Sequence, residues 1–281
     1  MTDHRLTEER IAAFRRFLGE QEKARDTIEK YLGTVRDFVL WTKGSQIAKE
    51  TVSQWKAALL DKGYAPATVN GKLAALNGLF SFLGWDDCRT AFLKLQKRVF
   101  RDDSLDLTQK EYQRLLGAAG CLRLEWMALL METICATGIR VSEVKYITAE
   151  AAAAGRTDVY LKGKIRTILL PRKLSRKLMN YAKKKKITSG PIFRDEDGKS
   201  LSRYKIWRLM KKVSGKAKVA STKVFPHNLR HLFAATFYRV TGDIVKLADV
   251  LGHSSVETTR IYLMTTGAEH MEKLEQLGLV S

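Results

Sequence analysis

Apolar residues recur at helical spacing along most of this chain, whereas strand-like sequence is confined to one short segment. The apolar positions between 11 and 18 fall on one helical face, and Pro66 opens a later helix, because proline is well tolerated in a first turn. Two β-like runs, 158–161 and 165–170, are separated only by Lys-Gly-Lys, which predicts a hairpin. The pattern therefore predicts a mainly α-helical protein with one small antiparallel β-sheet.

The same pattern predicts two domains. Residues 1–98 contain no strand signal and are expected to form an all-α domain, whose last short helix is predicted over 88–95. Residues 99–105 are polar and charged without a sustained period, which predicts a linker. A capping box of the form Thr-x-x-Glu then opens the second domain, 106–281. Its later helices are predicted near 172–184, 202–216, 227–241, 243–251 and 255–262, with a tail helix in 267–281.

The charge of the chain indicates a polyanionic partner. Fifty Lys and Arg against thirty Asp and Glu give a formal net charge of +20 and a pI near 9.9. Such a charge attracts nucleic acid most commonly, although a heparin, ribosome or membrane-surface binder would share it. Residues 1–98 hold 17 of the basic and 12 of the acidic side chains. Most of the excess positive charge therefore lies in the second domain, where nucleic-acid chemistry is expected.

Neither a membrane segment nor a metal site is predicted. No stretch approaches 18 apolar residues and the polar start MTDHRLTEER has no apolar signal region, so a soluble, intracellular protein is expected. The three cysteines are widely spaced, without CxxC or zinc-like Cys/His spacing, and are expected to be small buried hydrophobes: Cys88, Cys121 and Cys135. His227 and His231 have the spacing of the HExxH zinc helix, but Asn228 stands where the glutamate belongs.

Four segments combine residues that suit chemistry at a phosphate. They are ATGIRVSEV with Arg140, LKGKIRTILLP with Lys162, PHNLRHLF with His227 and Arg230, and LGHSSVETTRIYL with His253 and Tyr262. Each residue alone has an ordinary structural explanation, because a lone arginine usually forms a surface ion pair and a lone tyrosine usually packs in a core. It is their order and their matching local sequence that favour a functional interpretation.

This ordered set, Arg-Lys-His-xx-Arg-His-Tyr, resembles the tyrosine recombinase or phage integrase family. The resemblance extends over about residues 5–280 and is strongest over 140–262. It implies an all-α SAM-like core-binding domain followed by an α+β tyrosine-recombinase catalytic domain. It also implies site-specific cleavage and rejoining of DNA through a 3′-phosphotyrosyl intermediate and Holliday-junction strand exchange, without a cofactor, ATP or a metal.

The resemblance assigns a role to each of these residues. Arg140 and Arg230 would hold the non-bridging phosphate oxygens, since guanidinium groups are always charged and bind such oxygens in a forked geometry. Tyr262 would be the nucleophile, and Lys162 the general acid for the departing 5′-oxygen, with Lys164 as the nearby alternative. His227 and His253 would bind the phosphate and tune proton movement at the tyrosine. Glu143 is expected to orient a basic side chain, and His231 to be structural.

The partners implied are double-stranded DNA recombination sites and a homo-tetramer that assembles on two duplexes, in the cytoplasm at the nucleoid, with accessory proteins unknown. Candidate DNA contacts are Thr68, Asn70 and Lys72 at the start of the fourth helix, with Lys164 and Arg166 on the hairpin. In the tail, an apolar stripe could pack on its own domain or dock on a neighbouring protomer: Ala268, Met271, Leu274 and Leu277. The sequence suits a minimal two-domain recombinase, or a fragment that has lost an arm-binding domain.

Two other functions share some of these features. A type IB topoisomerase uses similar phosphotyrosine chemistry but relaxes plasmid without a specific site. A DNA-binding regulator that has lost catalysis would bind DNA and form no covalent adduct. The HNLRH and LGHSS segments favour the recombinase over the first, and the full set of six residues favours it over the second.

Overall fold

The computed structural model describes residues 4–95, 103–161 and 164–262, together with Met271 and residues 275–277. Its internal contacts divide the chain into two compact units, Met1–Lys97 and Arg98–Ser281, each with a hydrophobic core of its own. The predicted linker lies outside the described residues as far as 102, and Asp103–Leu105 forms a 3₁₀ turn. No helix among the described residues combines the length and the apolar character that a membrane crossing needs.

The first unit is entirely helical in its regular structure. Its helices are α1 (Glu8–Glu20), α2 (Arg25–Thr42), α3 (Lys49–Asp61) and α4 (Pro66–Leu83), followed by a 3₁₀ turn, Asp86–Cys88. Pro66 occupies the first turn of α4 as predicted, and Gly84 ends that helix at a φ of +70°. The core between the helices is largely aromatic and includes Phe14, Phe38, Trp55 and Phe80.

The short helix predicted over 88–95 is wrong, because only Asp86–Cys88 forms a helical turn there. Two asparagines of α4 bind the backbone of this segment instead. Asn77 bonds both backbone polar groups of Thr90, and Asn70 bonds those of Leu93, at 2.8–3.2 Å. Each asparagine amide supplies one donor and one acceptor, so it satisfies the backbone groups that a helix would have satisfied.

The second unit is built mainly from helices packed on one another, with one small sheet beside a short helix and a 3₁₀ helix. Its elements are α5 (Gln109–Cys121), α6 (Glu125–Thr137), a 3₁₀ helix (Val141–Tyr146), α7 (Ala149–Ala154), β1 (Arg156–Leu161), β2 (Lys164–Leu169), α8 (Arg172–Lys184), α9 (Arg203–Ala217), α10 (Pro226–Thr241), α11 (Ile244–Leu251) and α12 (Val256–Arg260). The predicted capping box is confirmed: the Thr108 hydroxyl accepts from the Glu111 amide, and the Glu111 carboxylate accepts from the Thr108 amide. The predicted tail helix, 267–281, lies outside the described residues apart from Met271 and 275–277.

The predicted hairpin is confirmed. Strands β1 and β2 are antiparallel, with Arg156 opposite Leu169 and Tyr160 opposite Ile165. Buried Val159 and Ile168 face the core, whereas Tyr160 and Ile165 are exposed, as the two-residue period of a strand requires. The tip of the hairpin, with Lys162 and Gly163, lies outside the described residues.

The prediction for the three cysteines is confirmed in part. Cys88 is fully buried in the first core, and Cys135 is half-buried beside α10. Cys121 is exposed at the end of α5, so the expectation that it is a buried hydrophobe is wrong. Its position on the last turn of a helix accounts for this exposure, since the chain turns away there at the following residues.

Candidate active site

A glycine turn after α6 sets the position of Arg140. Gly138 ends α6 at a φ of +64°, a conformation that side chains with a Cβ rarely adopt. A Cβ at this position would lie 2.5 Å from the Phe233 ring and 2.9 Å from Leu251. Both the backbone conformation and the lack of room for a Cβ therefore require a glycine at this position of the TGIR motif. The turn that it makes places Arg140 at the start of the 3₁₀ helix.

Arg140 is oriented by a buried carboxylate and remains accessible. Its Nη1 lies 2.9 Å from Glu143 Oε1, and its backbone N–H donates to Glu143 Oε2 at 2.7 Å. Its Nη2 reaches the carbonyl oxygen of Gly252 at 3.5 Å. The Arg140 side chain is 38% exposed, whereas that of Glu143 is 2% exposed. Glu143 thus acts on Arg140 as predicted, and the guanidinium keeps a face open to a ligand.

Arg230, on α10, is among the largest fully buried side chains of the described residues. Its Nη1 donates to the carbonyl of Gly138, and its Nη2 donates to the carbonyl of Leu251 at 2.8 Å. Burial and the neighbouring Arg140 lower the pKa of Arg230, while the nearby Tyr262 hydroxyl opposes that shift. An arginine pKa is high enough that the group stays protonated near neutral pH. The site therefore contains a fixed buried cation.

His253 follows the Gly252 turn that ends α11 and joins Arg230 to α12. Its Nε2 lies 2.9 Å from Arg230 Nη2, and its Nδ1 lies 2.8 Å from Thr259 Oγ1. Because a guanidinium only donates, Nε2 accepts, and Nδ1 then carries the proton and donates to Thr259. Burial, followed by the charge of Arg230, lowers the pKa of His253 to about 4. The ring is therefore neutral at neutral pH.

Tyr262 closes the cluster. It lies just beyond α12 and is 5% exposed. Its ring stacks on His253 with centroids 5.8 Å apart and an angle of 10°, and it meets His231 edge-on at 4.5 Å. The His227 ring lies 5.7 Å away. The phenol oxygen thus lies among guanidinium and imidazole groups that come from distant parts of the chain.

Five of the six residues predicted to be catalytic meet in this cluster: Arg140, His227, Arg230, His253 and Tyr262. The sixth, Lys162, lies outside the described residues. His231 packs against Tyr262, which agrees with its expected structural place. Sequence reasoning missed Thr259, whose hydroxyl lies 2.8 Å from Nδ1 of His253 and accepts its hydrogen bond. Its position in the TTRIY segment, three residues before Tyr262 and hence one helical turn away, is the signal that could have identified it.

The five candidate DNA contacts differ in their exposure and in their hydrogen-bond partners. Thr68 is exposed, and Lys72 forms an ion pair with Asp37 at 2.8 Å; both stay predictions as DNA contacts. Asn70 uses both ends of its amide on the Leu93 backbone, which gives it a structural use instead. Arg166 is also turned inward, with a side chain 10% exposed. Lys164 begins β2, and its side chain is not among those described.

One group of side chains among the described residues has donors close enough for a metal ion. The donor atoms of His4, Asp87 and Cys88 lie within 4.8 Å of one another in the first unit. Burial, followed by the charges of Asp87 and Glu50, raises the pKa of the Cys88 thiol to about 11, and Cys88 also contacts the Ile47 carbonyl at 3.5 Å. Because the thiol is protonated and has the Ile47 carbonyl as a partner, the contact between these three side chains is explained as part of the packing of the first unit.

Comparisons with known proteins agree with this arrangement. The profile of the phage integrase family matches residues 106–268, and that of the phage integrase N-terminal SAM-like domain matches residues 11–87. The chain therefore belongs to the phage integrase family. The fold class expected from the sequence is confirmed, since a SAM-like helical domain is followed by an integrase catalytic domain.

The relatives and solved structures are similar along most of the chain. Tyrosine recombinase XerA of Thermococcus kodakarensis is 29% identical over 95% of this chain and 94% of its own length. Tyrosine recombinase XerD of Xanthomonas campestris is 28% identical over 93% of this chain and 90% of its own length. The crystal structure of a lambda integrase tetramer bound to a Holliday junction covers 93% of this chain and 78% of that protein, at 18% identity and a TM-score of 0.73.

The two roles of Gly138 can be separated by substitution. Gly138→Ala should lower the melting temperature strongly, because the new methyl group meets Phe233 at 2.5 Å. Gly242→Ala is the matched control, since Gly242 has almost the same φ, +65°, and no atom lies within 4 Å of the place its new methyl group would take. The control should lose only the backbone contribution, about 1 kcal/mol. Equal losses in the two variants would contradict the steric argument.

The depressed pKa of His253 predicts how stability depends on pH. The unfolded chain takes up a proton on this histidine near pH 6.5, whereas the folded protein takes it up near pH 4. Stability should therefore fall as the pH drops from 6.5 to 4, and His253→Gln should remove that part of the fall. Denaturant unfolding across this range measures it, and NMR titration of the ring gives the pKa directly. A titration near 6.5 would show the prediction to be wrong.

Proposed function

We propose that this chain is a tyrosine-type site-specific DNA recombinase in which Tyr262 is the nucleophile that cuts DNA and holds the cut end. One observation supports the proposal above the others: the Tyr262 ring stacks on His253, whose Nε2 lies 2.9 Å from the buried guanidinium of Arg230, so that residues from distant segments of the chain meet in one cluster. Membership of the phage integrase family gives the enzyme class.

Arg140 and Arg230 form the phosphate-binding pair. Arg230 is held by two main-chain carbonyls, and Arg140 by the Glu143 carboxylate, so both guanidinium groups are fixed in orientation before an anion binds. Displacement at a phosphodiester places added negative charge on the non-bridging oxygens. Donors fixed in advance stabilise that charge without a reorganisation cost, and each is worth about 10²–10³ in rate by analogy with oxyanion sites.

The proton of the attacking phenol has to leave as the phosphorus–oxygen bond forms. Both nitrogens of His253 are already used, one by Arg230 and one by Thr259, so His253 holds the cation in place. His227, with its ring 5.7 Å from that of Tyr262, is the candidate to take the proton. The leaving 5′-oxygen needs a proton in turn, and Lys162 on the hairpin remains the proposed donor.

The proposed reaction keeps the number of phosphate ester bonds constant, so it needs no external energy source. One phosphodiester is exchanged for a phosphotyrosyl ester, and the 5′-oxygen leaves as a hydroxyl group. A 5′-hydroxyl from a second duplex then attacks the phosphotyrosine, which frees Tyr262 and joins the new strand. Residues 1–98 are proposed as the core-binding domain and 106–281 as the catalytic domain, with Thr68, Lys72 and Lys164 as the remaining candidate DNA contacts.

An apolar groove in the second unit supports assembly through the tail. It has a volume of about 620 Å³, is lined by Tyr112, Leu174, Leu232 and Phe237, and ends at Val240, which is 80% exposed. We place in it the predicted tail helix of a neighbouring copy, whose apolar stripe fits the lining. Lys173 also lines the groove and complements the acidic side chains of the tail, whereas Lys177 is paired with Glu132 at 2.5 Å. The lambda integrase tetramer, similar in fold, supports a four-copy assembly.

The nucleophile can be tested once a DNA site is in hand. SDS-resistant adducts recovered from a nicked duplex library with a randomised core would supply the site. On a labelled substrate of that sequence, Tyr262→Phe should abolish the adduct and leave DNA binding intact, and Arg140→Ala should slow adduct formation by about 10²–10³-fold. Tyr238→Phe, at an exposed tyrosine of α10, is the matched control.

The outcomes distinguish the three functions. A catalytically silent regulator gives no adduct with the unsubstituted protein. A type IB topoisomerase relaxes a plasmid that lacks the selected site, and does so efficiently. Adduct that persists in Tyr262→Phe would overturn the assignment of the nucleophile.

Tail docking in trans predicts complementation between two defective proteins. Truncation after residue 266 should abolish cooperative assembly on DNA, and Val240→Asp in the groove should do the same, because a carboxylate would be buried by the docked tail. An equimolar mixture should recover paired assembly, since the truncated copy keeps its groove and the Val240→Asp copy keeps its tail. Gel-shift titration measures this. Unchanged cooperativity after truncation would reject docking between copies.

A further inference from the structure

Arg166 is a buried cation on the sheet that lies next to the two proposed catalytic arginines. It is on β2, on the same inward face as buried Ile168, and its side chain is only 10% exposed. A single atom, Nη1, lies 3.4 Å from Glu143 Oε2 and donates to the Leu251 carbonyl at 2.6 Å. Arg166 therefore ties the hairpin to the 3₁₀ helix and to the end of α11.

Its first partner is the carboxylate that orients Arg140. Glu143 gives Oε1 to Arg140 and Oε2 to Arg166, and its side chain is 2% exposed. A buried carboxylate is costly unless its charge is compensated, and removing one of its partners leaves that charge exposed to a low dielectric. Arg166 lets Glu143 remain buried and charged, which keeps Arg140 in its orientation.

The second partner of Arg166 is the Leu251 carbonyl, which also accepts a hydrogen bond from Arg230. The Leu251 oxygen accepts from Arg166 Nη1 at 2.6 Å and from Arg230 Nη2 at 2.8 Å. The next carbonyl, that of Gly252, accepts from Arg140. Gly252 also lies against the Arg166 stem: a Cβ built on it would lie 2.4 Å from Arg166 Cδ. This short turn thus fixes three guanidinium groups relative to one another.

We propose that Arg166 is a positioning residue for strand cleavage: it fixes the Glu143 carboxylate and the Leu251 carbonyl, and through them Arg140 and Arg230, without binding DNA itself. This inference rests on the proposed function. The sequence predicts that Arg166 contacts DNA. A DNA contact would contribute to DNA affinity, whereas a positioning residue would not.

Substitution of Arg166 separates the two roles. Arg166→Met keeps most of the length of the side chain but removes the charge, and should slow single-turnover adduct formation by about 10²-fold, the size of effect that a small displacement of catalytic groups produces. Its DNA affinity and the salt dependence of that affinity should match the unsubstituted protein. Arg166→Lys should recover most of the rate, because one atom of Arg166 makes both contacts. Arg156→Met, at an exposed position on β1, is the matched control.

The ring of His253 offers a second readout that does not use DNA. The groups that lower its pKa include Arg230 and His227 from α10, Arg140 from the Gly138 turn and Arg166 from β2, while Thr259 and the Tyr262 ring contact it from α12 and beyond. Arg166→Met should raise the pKa of His253, and Arg166→Lys should leave it low. NMR titration of the folded protein measures this even where cleavage is too slow to follow.

A double-mutant cycle between Gly252 and Arg166 tests whether the two residues act together. Gly252→Ala should slow cleavage because the new methyl group collides with the Arg166 stem. In an Arg166→Ala background the same change should slow cleavage less, since the stem is gone and only the backbone strain of an alanine at a φ of +63° remains. Full additivity of the two changes would show that Gly252 acts independently of Arg166.

The possible failures are distinguishable. If the unsubstituted protein forms no adduct, the proposed function fails. If it does, and Arg166→Met weakens binding and flattens the slope of log affinity against log salt by about 0.9, Arg166 is a DNA contact and the inference is overturned. A variant that melts earlier but cleaves at the normal rate per folded molecule would also overturn it.

Discussion

A charged guanidinium enclosed by the protein is the constraint on which the site depends. Arg230 is 1% exposed, and a cation taken out of water needs hydrogen-bond acceptors to replace its hydration. The chain supplies the carbonyls of Gly138 and Leu251 and the Nε2 of His253. Each of these acceptors comes from a point where a helix has just ended, since carbonyls inside a helix are already used. The need to bury one cation therefore determines where α6 and α11 stop.

Glycines make those two helix ends possible. Gly138 and Gly252 both have a positive φ, and in both places a Cβ would strike a neighbouring side chain. The turns that result do more than end helices, because the residues that follow them are Arg140, after one intervening residue, and His253. The backbone turns that supply hydrogen-bond acceptors to Arg230 thus also place the Arg140 guanidinium and the His253 imidazole in the site. The sequence motifs TGIR and LGHSS reflect this shared requirement.

The parts of the molecule that could be predicted from sequence are those governed by local interactions. The helix that the Thr108 capping box opens, the hairpin and the five helices predicted between 172 and 262 depend on spacing within a few residues, and the structure has them close to the predicted places, whereas α6 and α7 were not predicted. The segment 88–95 was mispredicted because Asn70 and Asn77, far back in the chain, bind its backbone. Arg166 was taken for a DNA contact because a basic hairpin is usually exposed; its burial follows from partners 23 residues before it and 85 after it, which no local pattern reveals.

The cluster itself illustrates the difference between residue type and arrangement. Ordered motifs were enough to select Arg140, His227, Arg230, His253 and Tyr262, because the resemblance to a family carries that information. The motifs could not give the tautomer of His253, which depends on its contact with Arg230, or the shared use of Glu143 by two arginines. These are properties of hydrogen-bond direction and burial, and they appear only when the segments are folded together.

Two phenylalanines of α10 belong both to the wall of the groove and to the packing around Tyr262. Phe233 and Phe237 line the groove, and both also pack against the small apolar cluster that contains Leu247, Leu251 and Tyr262. Interiors of this kind are close-packed, so a change in the volume of one side chain affects its neighbours. A substitution of either phenylalanine therefore alters the groove and the surroundings of Tyr262 together.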